Sequence, residues 1–264
     1  MDTGSWPQSG CVAEGEARVT MDVRTFSLLP CFRLVPGATT MNDASMEDVV
    51  RQLNDNDDWL MRAVAVRKLM RFGSDAIQQL PRLFELAFDA KVPIQSDSCR
   101  VIRHLGAAAV PFLLERLRDS DARRRARTIN LLSETGDRMS TTVRLAEQVL
   151  PPRNGELPEW GCEPDVVLDA FRKSLEDPDH HVRFAAASSL EEFGRDIPEV
   201  IPVFIETLAV GTAHEQNWAA LRLGRIGTPA RSACEALRRA LDADCRYTHL
   251  AVRNALQLIG CVTC

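Results

Sequence analysis

The sequence predicts an all-α fold, a right-handed α-solenoid of about five to six helix pairs preceded by a disordered arm. Glycines recur at nearly equal intervals, apolar residues repeat at helical spacing before them, and a second apolar helix follows each one. The recurring glycines are Gly73, Gly106, Gly136, Gly194, Gly227 and Gly260. Their separations of 33, 30, 58, 33 and 33 residues are typical of a repeat protein in which one unit has been stretched.

Residues 1–43 precede the repeats and show no sustained period. Gly and Pro are scattered through them, and the one apolar run, residues 26–35, is interrupted by a proline and an arginine. We therefore expect a largely disordered arm, with the repeat solenoid occupying residues 44–264. One hypothesis is that the working chain begins at Met41 or Met46.

The first helix of each unit is clearest before Gly194. Its apolar and small residues follow one helical stripe, and they are Val182, Ala185, Ala186, Ser189, Leu190 and Phe193. A stripe at this spacing predicts an amphipathic helix, and its small residues let a neighbouring helix approach closely. The glycine that follows is suited to a left-handed helix cap.

The second helix of each unit carries its own apolar stripe and an early proline. Pro81, Pro111 and Pro202 occupy this early position in three units. The first turn of a helix tolerates proline because its N–H groups have no intrahelical partner. Two helices in about thirty residues, repeated in series, predict an α-solenoid.

An Asp and an Arg four residues apart recur 15 and 11 residues before the closing glycine. The three pairs are Asp58/Arg62, Asp121/Arg125 and Asp179/Arg183. We expect each Asp to cap the first helix of its unit. We expect each Arg to pair with that Asp or with the Asp of the preceding unit.

The Asp-x-x-x-Arg pair, the alanine-rich stripe, the closing glycine and the early proline together resemble HEAT repeats of the short bacterial type. Such repeats form phycobilin lyase subunits and deoxyhypusine hydroxylase. The resemblance covers residues 46–260. The Asp/Arg pair is missing from the unit that has Lys91 and Gln95 at these positions and from the last two units.

The stretched unit contains four prolines and two glycines between positions 151 and 164. These residues predict an inserted loop at 151–165, between a helix near 138–150 and another near 166–176. Long loops in repeat arrays often bind a partner. Trp160 in this loop is either exposed to a partner or folded back over the helices beneath it.

A resemblance to deoxyhypusine hydroxylase would imply His-Glu pairs in several repeats that hold two irons. The chain has one such pair, His214-Glu215, and His180-His181 stands without a carboxylate partner in this pattern. In the resembling family a Leu-Gly follows the His-Glu pair at a fixed interval, and counting back from Leu223-Gly224 places the pair at Asn217-Trp218. The corresponding positions in other repeats are Ala63-Val64, Phe184-Ala185 and Leu250-Ala251, whose side chains offer no donor atom for iron. A chromophore-lyase function would rest on the repeat alone.

Six arginines lie within twelve residues and form a candidate anion patch. They are Arg116, Arg118, Arg123, Arg124, Arg125 and Arg127, of which Arg125 is assigned to the Asp121 pair. Guanidinium groups suit bidentate phosphate or carboxylate contacts. The patch leaves open a protein that binds a nucleic-acid backbone, although the net charge of −5 does not favour nucleic acid.

The second helices carry glutamates in comparable places, which are Glu85, Glu115, Glu206 and Glu235. In the resembling family the second helices line the concave face, so these carboxylates would form an acidic ladder there. Such a ladder would favour a basic partner segment. The alternative is that glutamate fills solvent-facing positions because of its helix propensity and solubility.

The composition and the lack of a long apolar run indicate where in the cell the protein acts. With 45% apolar and 26% charged residues and no uninterrupted apolar run of about 18 residues, we expect a cytoplasmic protein without a membrane partner. Cys99 and Cys234 fall in helical stripes as small apolar residues, and Cys261-x-x-Cys264 is either a functional thiol pair or an ordinary tail.

We expect a non-catalytic scaffold that binds another protein on its concave face, with no catalytic residue, metal or cofactor.

Overall fold

The computed structural model describes residues 44–55, 58–135, 157, 159–242 and 246–261. They all belong to one compact unit, Ala44–Cys264. The expected arm at 1–43 and the expected helix near 138–150 lie outside the described residues. Within the described ranges the elements are helices, and none of these helices is both long and apolar enough to span a bilayer.

Twelve α-helices and three short 3₁₀ helices make up the described part of the chain. The α-helices are α1 (Met46–Asp55), α2 (Trp59–Leu69), α3 (Leu80–Leu86), α4 (Val92–His104), α5 (Val110–Arg116), α6 (Ala122–Glu134), α7 (Pro164–Ser174), α8 (His180–Glu192), α9 (Ile197–Val210), α10 (Ala213–Ile226), α11 (Cys234–Asp242) and α12 (Arg246–Ile259). The 3₁₀ helices are Met70–Gln79, Gly106–Ala109 and Thr228–Ala233.

The helices stack in series as an α-solenoid. The first helices α2, α4, α6 and α8 pack one against the next, as do α10 and α12, and each second helix packs against the first helix that follows it. The apolar stripes form one continuous core, in which Leu69, Ile102, Ile129, Leu190 and Leu223 are buried. Each unit buries its stripe against its neighbours, which confirms the predicted fold class.

Three of the first helices begin at the predicted aspartates. The side chains of Asp58, Asp121 and Asp179 accept hydrogen bonds from backbone N–H groups of the first turn, at 2.9, 2.8 and 2.9 Å. These N–H groups have no partner inside the helix, so a capping carboxylate stabilises the helix start. The predicted capping role is confirmed.

The arginines that accompany these caps reach forward along the chain. Arg62 lies 3.9 Å from Asp89, and Arg125 binds both carboxylate oxygens of Asp177 at 2.8 Å. Arg183 contacts Glu206 of the next helix. The prediction that each arginine pairs with its own cap or with the preceding unit was therefore wrong, because each guanidinium extends toward a carboxylate that comes later in the chain, on or just after the second helix of its own unit.

The closing glycines adopt the positive φ that their positions require. Gly73, Gly106, Gly194, Gly227 and Gly260 have φ between 52° and 75°, whereas Gly136 lies outside the described residues. At Gly73 and Gly227 the ψ values are −125° and −139°, so these two are not left-handed helical caps. Their conformation is one that glycine almost alone adopts.

The stretched unit is one repeat with an insertion. Helix α6 packs directly against α8, and the Arg125–Asp177 pair joins them, so the first helices remain consecutive across the 58-residue interval. The insertion lies between α6 and its second helix α7. The sequence analysis placed Pro164 inside the loop. In the structure α7 begins at Pro164, because proline is favoured in the first turn of a helix.

Cys234 and Cys261, which the sequence analysis treated as unconnected, form a disulfide. Cys234 at the start of α11 is bonded to Cys261 after α12, with their Cα atoms 5.9 Å apart. The interpretation of Cys234 as a free apolar residue was therefore wrong. Cys99 is free and buried in α4, as the sequence predicted, and Cys162 is free and exposed.

Candidate partner-binding surface

The predicted acidic ladder is interrupted by arginines. Glu85 on α3 receives two parallel hydrogen bonds from Arg124 on α6, at 2.7 and 2.6 Å. These hydrogen bonds from Arg124 hold the pKa of Glu85 below its ordinary value. Glu206 on α9 is likewise paired with Arg183 on α8. Both carboxylates are thus neutralised by their own protein.

The other two glutamates of the ladder remain open to solvent. The side chain of Glu115 on α5 is 73% exposed and lies 3.9 Å from Arg116. The side chain of Glu235 on α11 is 65% exposed and receives a hydrogen bond from Arg239 one turn later, at 3.2 Å. These four glutamates do not present a continuous row of unpaired carboxylates.

The predicted anion patch divides into engaged and exposed arginines. Arg124 binds Glu85, and Arg125 binds Asp177 and the carbonyl oxygens of Asp119 and Ser120. Arg118 and Arg123 are exposed. No ion pair involves these two within the part of the chain that the structure describes.

Three arginines of the patch, including Arg124, lie over aromatic rings. The guanidinium carbon of Arg116 is 5.2 Å from the centre of the Phe112 ring. Those of Arg124 and Arg127 are 5.3 and 5.9 Å from the centre of the Phe88 ring. Such distances permit attraction between the cation and the negative face of the ring.

The two phenylalanines are anchored by a third. Phe84 is buried in α3, and its ring contacts those of Phe88 and Phe112 edge to face, with centroids 5.4 and 5.8 Å apart. Phe88 and Phe112 are half-buried, so each ring has one side in the core and part of its area in solvent. We call Phe88, Phe112, Arg116, Arg124 and Arg127 the arginine–aromatic surface; it spans the turn after α3, α5 and the first turns of α6.

Sequence reasoning found the arginines of this surface and missed its phenylalanines. Phe88 and Phe112 sit at the edges of apolar stripes, and a stripe by itself does not say which edge residue stays accessible. The available signal was that residue 112 lies one helical turn before Arg116, a spacing that brings two side chains together on a helix surface.

Trp160 takes the second of the two positions that the sequence left open. Its side chain is 2% exposed, and its indole N–H donates to the carbonyl of Leu132 at 2.9 Å. Its ring packs edge to face on Phe171 and Phe193. Trp160 is therefore a core residue that closes the end of the insertion over α6, α7 and α8, and its ring is not presented to a partner.

The histidine pairs also differ from the expectation. His181 Nδ1 lies 2.5 Å from the carboxylate of Glu215, so the interpretation of His180-His181 as lacking a carboxylate partner was wrong. His214 accepts a hydrogen bond from the indole N–H of Trp218 at 2.9 Å. The adjacent residues His214 and Glu215 thus have different partners.

One family model matches part of the chain. The family model described as HEAT repeat matches residues 167–197, a range that covers most of α7, all of α8 and the turn to α9. No curated protein matches the sequence.

Several solved structures of engineered or designed proteins are similar to this chain. An engineered protein from a structural genomics consortium has 21% identity and a TM-score of 0.46, over 83% of this chain and 100% of its own. A designed armadillo repeat protein has 16% identity and a TM-score of 0.42, over 81% and 100%. Another, solved in complex with the peptide (KR)4, has 16% identity and a TM-score of 0.44, over 82% and 100%.

Proposed function

We propose that this protein is a non-catalytic scaffold that binds another protein on its concave face, the face carried by the second helices. The arginine–aromatic surface is the observation that carries the proposal. Aromatic residues and arginine are enriched in the cores of protein–protein interfaces and among residues that dominate binding energy. Here two half-buried phenylalanines are fixed by Phe84 and overlaid by arginines, so this surface needs little ordering before it binds.

The charges around the surface favour an acidic partner segment. Glu85 and Glu206 are occupied by arginines, so the acidic ladder offers little to a basic segment. Arg116, Arg118 and Arg123 are at least partly exposed, and the 3.9 Å contact with Glu115 leaves Arg116 free to bind a second carboxylate. A carboxylate held by a guanidinium above an aromatic ring combines charge pairing with apolar contact.

Fluorescence anisotropy with two labelled probes, an octaglutamate peptide and the peptide (Lys-Arg)4, tests the proposal. We expect the acidic peptide to bind more tightly to the full chain, and Arg116→Ala to weaken it by about tenfold, since a hydrogen-bonded charge contact contributes about 1.5 kcal/mol. Arg239→Ala on α11 is the matched control, because its guanidinium pairs with Glu235 one turn earlier on the same helix. Tighter binding of the basic peptide would instead support the acidic ladder as the binding surface. An equal loss of affinity in Arg116→Ala and Arg239→Ala would contradict the assignment of binding to the arginine–aromatic surface.

The rival functions give different results in the same protein. A nucleic-acid backbone binder would hold duplex DNA with an affinity that falls steeply with salt and is lost when the arginines at 123–127 are neutralised together. A hydroxylase would carry iron, and a chromophore lyase would show tetrapyrrole absorbance. The finer resemblance, to the short repeats of phycobilin lyase subunits and deoxyhypusine hydroxylase, stays a prediction.

A further inference from the structure

Two consecutive histidines begin α8, directly after its capping aspartate. Asp179 accepts the backbone N–H of His181, and the rings of His180 and His181 lie side by side with centroids 3.8 Å apart. One ligand atom from each of these three residues lies within 4.8 Å of the others. The beginning of α8 therefore gathers two imidazoles and a carboxylate in one small volume.

A second carboxylate approaches the two imidazoles from the next unit. Glu215 is in the first turn of α10, and its Oε1 lies 2.5 Å from His181 Nδ1 while its Oε2 lies 3.9 Å from His180 Nε2. The two oxygens of one carboxylate thus face the two different imidazoles. The stacking of successive first helices brings these three side chains together.

Glu215 is held in this orientation by its own helix start. Its Oε2 accepts hydrogen bonds from the backbone N–H and the hydroxyl of Thr212, at 2.9 and 2.8 Å. Burial raises the pKa of Glu215, but the hydrogen bonds from His181 and Thr212 outweigh burial and keep its pKa below the ordinary value. Secondary hydrogen bonds of this kind orient carboxylates that bind metal ions.

One ring nitrogen of His180, beside Glu215, makes no hydrogen bond to the described residues. Its Nε2 is closed off from solvent and has no hydrogen-bond partner among the described residues. A buried polar atom without a partner is rare and calls for an explanation such as an ion or a water molecule. The nearest charged group to this atom on the neighbouring helix is the Glu215 carboxylate.

We propose that His180, His181 and Glu215 bind a divalent transition-metal ion of the Zn²⁺ class. Two imidazole nitrogens and one carboxylate oxygen are ligands that Zn²⁺ takes in proteins, with a fourth position left for water or for Asp179. Tetrahedral bonds of about 2.0–2.1 Å separate ligand atoms by about 3.4 Å. The 3.9 Å between His180 Nε2 and Glu215 Oε2 is close to this spacing, whereas the 2.5 Å between His181 Nδ1 and Glu215 Oε1 has to lengthen by about 0.9 Å when the ion binds. Zn²⁺ replaces the proton held between His181 and Glu215, which is released to solvent.

The site would act as a clamp between two repeats. His180 and His181 belong to the unit of α8 and α9, whereas Glu215 belongs to the unit of α10 and α11. A bound ion fixes the orientation of these units, and with it the curvature of the face that carries the second helices. The inference rests on the ligand geometry alone and does not depend on the identity of the protein partner.

Zn²⁺ and Co²⁺, added to the metal-free full chain, test the site directly. Isothermal titration with ZnCl₂ is expected to show one equivalent bound, and Co²⁺ to give visible ligand-field bands without the thiolate charge-transfer absorption of cysteine ligands. His180→Asn, His181→Asn and Glu215→Gln should each weaken Zn²⁺ binding by at least about tenfold.

Two control variants separate ligand loss from other effects. Thr212→Ala weakens the cap of α10 and keeps all three ligands, and His214→Asn removes a neighbouring imidazole that accepts from Trp218. Both should still bind one Zn²⁺, with Thr212→Ala binding less tightly. The site is refuted by no Zn²⁺ binding to the wild type, by a thiolate-dominated Co²⁺ spectrum, or by ligand variants, folded by circular dichroism, that bind as the wild type does.

Discussion

Arg125 is the side chain that joins the repeats across the insertion. It binds both oxygens of Asp177 and the carbonyl oxygens of Asp119 and Ser120, at distances from 2.8 to 3.1 Å. The side chains of Arg125 and Asp177 are each 13% exposed. A guanidinium so fully hydrogen-bonded stabilises one geometry, whereas removing either partner leaves a largely buried charge.

Acid should weaken this contact in a defined direction. Burial raises the pKa of Asp177, but the hydrogen bonds from Arg125 and from the backbone of Asp179 outweigh it, so the folded-state pKa is lowered. A lowered pKa adds stability that is complete above the unfolded value of about 3.9 and is lost as the pH falls through the folded value. Asp177→Asn should therefore lower the free energy of unfolding by about 1.5–3 kcal/mol at pH 7 and flatten its decline below about pH 4.

Urea denaturation at a series of pH values measures this prediction. Asp75→Asn is the matched control, because Asp75 is exposed in the first 3₁₀ helix. The control should match the wild type at pH 7. An Asp177→Asn variant with the full acid sensitivity of the wild type would show that other carboxylates govern it.

At the scale of the elements, the last two helices are joined covalently as well as by packing. The Cys234–Cys261 disulfide connects the start of α11 to a cysteine two residues after the end of α12, 27 positions later in the chain. Helix α12 packs against both α10 and α11. As the last described helix, it has a preceding unit to pack against and no described unit after it.

Loss of this disulfide should destabilise the carboxyl-terminal unit first. Closing a loop of this length restricts the unfolded chain, and a native disulfide typically contributes about 2–4 kcal/mol. Cys234→Ser should lower the free energy of unfolding by that amount and speed hydrogen exchange in α11 and α12. Cys162→Ser, which alters an exposed free thiol, should leave both unchanged.

A reducing agent provides the second arm of this test. The wild type treated with dithiothreitol should match Cys234→Ser, whereas the variant itself should not respond. Unchanged exchange in α11 and α12 after reduction would mean that packing alone holds this unit.

At the scale of the molecule, ion pairs repeat along the first helices. The buried carboxylate of Asp97 on α4 is 2.5 Å from Arg67 on α2, and Arg103 is 2.8 Å from Glu134 on α6. The buried carboxylate of Glu191 on α8 binds Arg222 and Arg225 on α10. Each pair links consecutive units, so the energetics should be those of a one-dimensional array.

Double-mutant cycles test this nearest-neighbour behaviour. Glu191→Gln and Arg225→Gln should show a coupling energy of about 0.5–3 kcal/mol, because the side chains share hydrogen bonds. Glu191→Gln and Arg67→Gln, which alter different unit boundaries, should add within about 0.5 kcal/mol. Strong coupling between the distant pair would contradict an array of this type.

The arginine–aromatic surface could be predicted from the sequence only in part. Arg116 and Arg124 could be singled out because a cluster of charges is visible in the chain. Their aromatic partners and the engagement of Glu85 could not, because Glu85 and Arg124 are 39 residues apart and meet only when α3 and α6 are placed. The same is true of His181 and Glu215, whose 34-residue separation is about one repeat.

The sequence by itself determined the helices, their caps, the glycine turns and the serial stacking. These features follow from signals within a few residues, such as the stripe before Gly194 or the cap at Asp179, and repetition strengthens them. Tertiary structure alone decided the forward direction of the arginine pairs, the burial of Trp160 and the Cys234–Cys261 bond. The physical reason is that these contacts join helices and turns that are 23 or more residues apart in the chain, where the stacking geometry determines which side chains face each other.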